Sequence, residues 1–361
     1  PSSAEVGDQI VFIDYLRTWG TNKIIIDSNG LNYQGEDDTY TVEYNTDGET
    51  VNIVYADATK GWIPLNDDDV TDAPVAPPTQ KAIFGYGTTG SLVSLTNLVN
   101  SSGVVATDVS GVGTARVSLA AASYGLDKAI FGYGEGASAV SMTNLVNNSG
   151  VVATDVTGVG TARSGPAAAG YGVGLAIFGY GYAGGYVSMT NLVNNSGVVA
   201  ADVTGVGTAR NGSAAAGYGL DTAIFGYGGT ASNVSMTNLV TNVGVVGSDV
   251  TGVGTARTNL AAAGYGGDKA IFGYGYPITA ITNLVSNVGV VSADVSGVGT
   301  ARYGAAAAAY GGDKAIFAYG YSAPLTAISN LVSNTGVVGA DVTGVGTNRG
   351  YLAAAGYSTS A

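Results

Sequence analysis

Two kinds of side chain recur along the sequence at a spacing that could do chemistry. Arg116, Arg163, Arg210, Arg257, Arg302 and Arg349 each close a Gly-Val-Gly-Thr-x-Arg segment. Eight residues before each stands an aspartate: Asp108, Asp155, Asp202, Asp249, Asp294 and Asp341. Six such pairs could ring a site for an anion or a metal ion. They could also hold the joints between repeats, because a guanidinium carries five donors and can bind several carbonyls at once. An asymmetric ligand has little use for six identical sites. The expected role is therefore structural, with each arginine bonded to carbonyls or to the aspartate of its own repeat.

Other chemistry is removed by composition. The chain has no histidine and no cysteine, which excludes disulfides, ordinary zinc or copper sites, Cys–His and Ser–His nucleophiles, and imidazole acid–base catalysis. A carboxylate pair is the only acid–base machinery left. Neither catalytic residue, metal nor cofactor is expected, and the protein is read as a non-enzyme. Asp67, Asp68 and Asp69 could suggest a calcium loop, but the glycine and closing glutamate of an EF-hand are missing. The Gly-x-Gly runs have strands on both sides and no helix to receive a pyrophosphate, so a dinucleotide site is set aside.

The elements that position these residues repeat. Phe84, Phe131, Phe178, Phe225, Phe272 and Phe317 each sit in an Ala-Ile-Phe-(Gly/Ala)-Tyr-Gly segment, at spacings of 47, 47, 47, 47 and 45. One unit carries four short β-branched or aromatic runs bounded by Gly, Asn and Ser: 167–171, 129–133, 140–146 and 151–156. They read as four strands. Four strands in each repeat of this length is the arithmetic of a β-propeller blade. The repeats begin at Lys81 with the second strand of a unit and finish at 351–357 with the first. One blade is thus divided between the two ends, which closes a ring, whereas a solenoid would call for caps. The expected fold is an all-β, six-bladed propeller with strand-exchange closure. Tyr86, Tyr133, Tyr180, Tyr227, Tyr274 and Tyr319 recur with the phenylalanines and are expected between blades, hydroxyls bonded.

The order of Arg, an apolar strand, an Asp-Lys turn, Ile-Phe-Gly-Tyr-Gly, a variable loop, a strand and then Asp resembles the kelch repeat over 81–357. Gly132-Tyr133-Gly134 stands where kelch blades have a Gly-Gly pair, and the repeats contain no tryptophan. Near-identical Gly-rich blades behind a small acidic domain resemble bacteriophage tail-fibre and virion-surface proteins. That resemblance implies host attachment, a place on the virion (otherwise an extracellular one), other virion proteins as partners, and a homotrimer.

Charge divides the chain. Residues 1–80 hold 15 acidic and 3 basic residues, and 81–361 hold 11 and 10. Residues 1–65 are read as a small acidic β-rich assembly or mounting domain. Its expected strands are 9–13, 23–26, 40–44 and 51–55, the last two joined as a hairpin through Asn45–Gly48. Residues 66–80 read as an Asp/Pro linker, and 81–361 as the propeller. The acidic balance argues against nucleic acid, whose binding needs Lys and Arg. Without a run of 18 apolar residues, membrane insertion as a helix is not expected either. The chain opens at Pro1 without a methionine, so a processed or partial chain is expected.

The repeats differ mainly at two places: the loop after the second strand and the lead-in to the first. In an up-and-down blade both emerge on one face. Variation confined to one face of otherwise uniform units marks it for specific contacts. Its tyrosines, Tyr182, Tyr186, Tyr276, Tyr303, Tyr321 and Tyr351, suit stacking on sugar rings, with Glu135, Asn211, Asn233 and Asn259 as hydrogen-bonding partners. The partner expected is a host-surface glycan or other receptor. A structural virion decoration subunit and a cellular surface lectin are the alternatives.

Overall fold

The computed structural model describes residues 3–37, 39, 41–65 and 80–358. Among these the protein is all-β, built of small antiparallel sheets without a helix. It divides into two units, Pro1–Pro77 and Pro78–Ala361. The division falls within the Asp/Pro stretch, whose residues 66–79, including the aspartates weighed as a calcium loop, lie outside the described residues.

The first unit has five strands: β1 (Gln9–Ile13), β2 (Ile24–Ile26), β3 (Val42–Tyr44), β4 (Thr50–Asp57) and β5 (Gly61–Pro64). They form a sheet of order β1-β4-β5 and a β2-β3 pair. Alternation along β4 buries Val51, Ile53 and Tyr55 against Trp19, Tyr33, Val42, Tyr44 and Trp62. The expected hairpin through Asn45–Gly48 is corrected here. The turn exists, but its flanking strands pair elsewhere, β3 with β2 and β4 with β1. Asp14 fixes this arrangement by accepting the amides of Thr18, Trp19 and Gly48, which ties the turn to the end of β1.

The second unit contains six three-stranded sheets. In each, an alanine-rich strand such as Ala120–Tyr124 pairs with a Lys128–Gly132-type middle strand, and that with a Thr143–Val146-type third strand. The sixth sheet joins the ends of the unit: Ala353–Tyr357 pairs with Lys81–Gly85, which pairs with Thr96–Val99. The expected fourth strand is not a strand. Segment 151–156 meets the third strand at two isolated bridges, Val146↔Val152 and Thr143↔Val156. Between them the segment carries one residue more than its partner, the count of a bulge. The Asn144 amide fills the gap, donating to Ala153 O and to the Asp155 carboxylate.

Middle strands such as Lys128–Gly132 are buried past their first residue, and their aromatic residues interlock from sheet to sheet. The Phe178 ring lies 5.1 Å from that of Tyr133 and leaves no room at Gly132, where a Cβ would stand 2.7 Å from Phe178 Cζ. The same Tyr–Phe contact runs through all six sheets and returns to its start as Tyr319–Phe84. The alanine strands touch one another in the same cyclic order. Small side chains permit that approach.

Two circuits of backbone hydrogen bonds link the sheets. At the turns between alanine and middle strands, Gly125 donates to Gly174 O, Gly172 to Asp221 O, Gly219 to Asp268 O and Gly266 to Asp313 O. Gly311 then donates to Gln80 O, and Ser358 completes the circuit on Asp127 O. At the opposite ends of the alanine strands, Ser118 donates to Tyr351 O, Gly165 to Ser118 O, Gly212 to Gly165 O and Asn259 to Gly212 O. Gly304 continues to Asn259 O, and Tyr351 returns to Gly304 O. All six of these latter residues lie in the left-handed region, φ +50° to +61°. Glycine adopts it freely and asparagine tolerates it.

Candidate functional site: a charged joint and a tyrosine face

The arginines occupy the joints between sheets. Arg163 donates from Nε to Tyr180 O at 2.8 Å, from Nη1 to Thr161 O at 3.1 Å and from Nη2 to Asn191 Oδ1 at 2.8 Å. Its guanidinium lies 4.0 Å from the centroid of the Tyr133 ring in the preceding sheet, and the Tyr133 hydroxyl is bonded to Val159 O. All six arginines are fully buried. Burial pulls their pKa down, and the neighbouring tyrosine and aspartate oppose that. A guanidinium so enclosed is out of a ligand's reach.

The expected Arg–Asp pairing within one repeat is corrected. The aspartate at each joint comes from the following repeat: Asp202 accepts the amide and hydroxyl of Thr161 and the amide of Asn191. Arg210 faces Asp249 at 3.9 Å, not Asp202, and Arg349 faces Asp108 at 3.6 Å. The asparagine between them (Asn97, Asn144, Asn191, Asn238, Asn283 or Asn330) was missed in the sequence. Its signal was there, since Asn-Leu-Val recurs with the period of the phenylalanines. Arg302 departs from the pattern, with no partner for its Nε.

Beyond the joints lie the two variable places, and the structure brings them together. Isolated bridges pair Val117 with Glu135, Ser164 with Tyr182, Asn211 with Gly229, Thr258 with Tyr276, Tyr303 with Tyr321 and Thr88 with Gly350. The tyrosines fall into two groups. Tyr182 and Tyr186 pair edge to face at 5.6 Å. Tyr303 is the centre of the other group, 5.5 Å from Tyr276, 5.3 Å from Tyr321 and 5.9 Å from Tyr351. Tyr182, Tyr186, Tyr276 and Glu135 are exposed, whereas Tyr303, Tyr321 and Tyr351 are half-buried. Burial and the neighbouring Tyr303 push the Tyr351 hydroxyl up to about 12.

The asparagines differ in availability. Asn233 spends its amide on Tyr276 O at 3.0 Å, so it positions that tyrosine's backbone. Asn211 is half-buried beside Gly229, and Asn259 belongs to the left-handed circuit. That circuit surrounds a cavity of about 70 Å3 whose lining includes Asn259, Tyr351 and Ser213. Ser213 was not anticipated. A second cavity, of about 320 Å3, is lined by the alanine strands and their turns. Among the described residues no cluster of carboxylates could hold a metal ion.

No protein-family model matches this chain, and no curated protein is significantly similar to it.

Proposed function

We propose that residues 81–357 close as a six-bladed, kelch-like β-propeller, and that the chain is a non-enzymatic virion-surface or tail-fibre protein whose tyrosine face binds a host-surface glycan. The closure reading is supported by the three circuits that return to their start: Tyr–Phe contacts and the two sets of backbone hydrogen bonds. One observation carries the functional reading. The sequence positions that differ between repeats are bridged to each other and bear the tyrosines, while the arginines that repeat are buried within the joints. Aromatic faces beside a few fixed polar groups suit carbohydrate, whose rings present apolar C–H faces and a hydroxyl rim.

In this account the first unit mounts and assembles the protein as a homo-oligomer, a trimer by resemblance to fibre proteins. Strand β1 is a sheet edge exposing Val11 and Ile13, and Tyr15 and Leu16 continue the apolar surface. Exposed edges of this kind invite pairing with another chain.

A glycan array tests the receptor reading. Wild-type protein should bind a defined set of glycans, and Tyr182→Ala, Tyr276→Ala and Tyr321→Ala combined should abolish binding while leaving cooperative unfolding intact. Undiminished binding by the triple variant would overturn the assignment of this face, and a wild-type protein that binds no glycan would favour a structural decoration subunit.

A further inference from the structure

The tyrosine face has a formed hollow inside the left-handed circuit. The residues that follow the circuit members into the six alanine strands are Leu119, Pro166, Ser213, Leu260, Ala305 and Leu352, and all line the cavity. Five are apolar and one carries a hydroxyl. Ser213 is 7% exposed, and its Oγ has no hydrogen-bond partner. Leaving a buried hydroxyl unpaired is unfavourable, and the other repeats avoid it at this position. The circuit's six amides are consumed by its own carbonyls. Polar recognition inside the cavity therefore falls to Ser213 and to the side chains of Ser118, Asn259 and Tyr351. Tyr351 also touches Tyr303, so the cavity adjoins the larger tyrosine group.

Resting on the glycan reading above, we propose that this cavity seats the hydroxyl-bearing edge of one neutral sugar residue. Its volume of about 70 Å3 holds about two water-sized groups at roughly 30 Å3 each, enough for a hydroxymethyl group or two hydroxyls and too little for a whole ring. One sugar hydroxyl bonds Ser213 Oγ, and the ring body stays outside against Tyr351 and Tyr303. The sugar is neutral because the face offers an anion nothing to pair with. The six arginines are buried, and Lys128, Lys269 and Lys314 stand beside Asp127, Asp268 and Asp313 at the turns at the other end of the alanine strands. Glu135, the one carboxylate at the variable positions, repels an anion.

Titration calorimetry with the whole chain tests this, using methyl glycosides of neutral hexoses and deoxyhexoses, with glucuronate and sialic acid as the anionic arm. Ser213→Leu fills the cavity with the side chain that already stands at three equivalent positions, and Ser213→Ala removes the hydroxyl alone. Wild type should bind neutral sugars in preference to anionic ones. Both variants should keep or raise the melting temperature and weaken binding at least tenfold. If neutral sugars bind equally well to Ser213→Leu, the cavity is not the seat, although the glycan reading survives. Preference for the anionic sugars overturns the proposal. If wild type binds no sugar here and no glycan on an array, the glycan reading fails with it.

Discussion

Thr347 donates both its backbone amide and its hydroxyl to the carboxylate of Asp108, 239 residues away in sequence. The same bonds join Thr114 to Asp155 between successive repeats. The joint between the ends of the repeat region is thus chemically the joint found everywhere else. Arg349 completes it, bonding Tyr86 O and Asn97 Oδ1 across the seam.

Removal of residues 350–361 deletes Ala353–Tyr357 and exposes the edge of Lys81–Gly85. The expected result is loss of cooperative unfolding, or aggregation through that edge, read by calorimetry and light scattering. A truncated protein that melts like the full chain would rule out closure by strand exchange.

Arg210→Ala strands Tyr227 O and Asn238 Oδ1 in a buried setting and removes a partly buried bond to Thr208 O. A loss of about 3 kcal/mol is expected in urea unfolding, as for other buried charged groups removed from their partners. Arg302→Ala should cost less, because Arg302 Nε has no partner to lose. Glycan affinity should hold in both variants.

Stability should fall at both extremes of pH. Burial alone would raise the carboxyl of Asp108, but bonds from Thr347 and Asn97 and the charge of Arg349 outweigh it and hold the group below its ordinary value. The aspartates of the other five joints are lowered in the same way. Their contribution is complete above the unfolded value of about 3.9 and is lost as pH drops through the lowered folded value. The melting temperature should therefore hold steady down to about pH 5 and fall steeply below about pH 4. Burial pushes Tyr86, Tyr227 and Tyr319 up to about 12. Their contribution is complete below the unfolded value of about 10 and is lost as pH climbs from there through the raised folded value. A thermal-shift series across pH checks both limbs.

Much of this was legible in the sequence, and the reasons are local. The 47-residue spacing of Phe131 and Phe178, their β-branched neighbours, and the terminal strand at 353–357 carry their own signal. So does the convergence of Tyr303 and Tyr321, which follows from strand alternation. The partner of Arg210 was not legible. Asp202 and Asp249 are the same residue type in the same motif, and only packing between neighbouring sheets selects Asp249. The fourth segment reads as a strand, yet the Asn144 side chain competes for its carbonyl and bulges it. In the first unit the Asn45–Gly48 turn looks like a hairpin because its competitor, the carboxylate of Asp14, is remote in sequence.

Assembly through the first unit is open to test by charge. Val11→Lys with Ile13→Lys places two like charges on the exposed side of the edge strand β1, a device by which natural edges resist pairing. Sedimentation should show an oligomer for the wild type and a monomer for the double variant. An unchanged mass would move the assembly surface elsewhere.

The central claim is that a glycan is held by the face where the variable positions meet. Hydroxyl-radical footprinting, with and without a saturating glycan selected from an array, tests it most directly. Protection is expected at Tyr276, Tyr303, Tyr321 and Tyr351, with Tyr15 of the first unit and Leu126 and Leu220 at the opposite turns unchanged. Protection confined to Tyr15, Leu126 or Leu220, with the four tyrosines as reactive as before, would contradict the account.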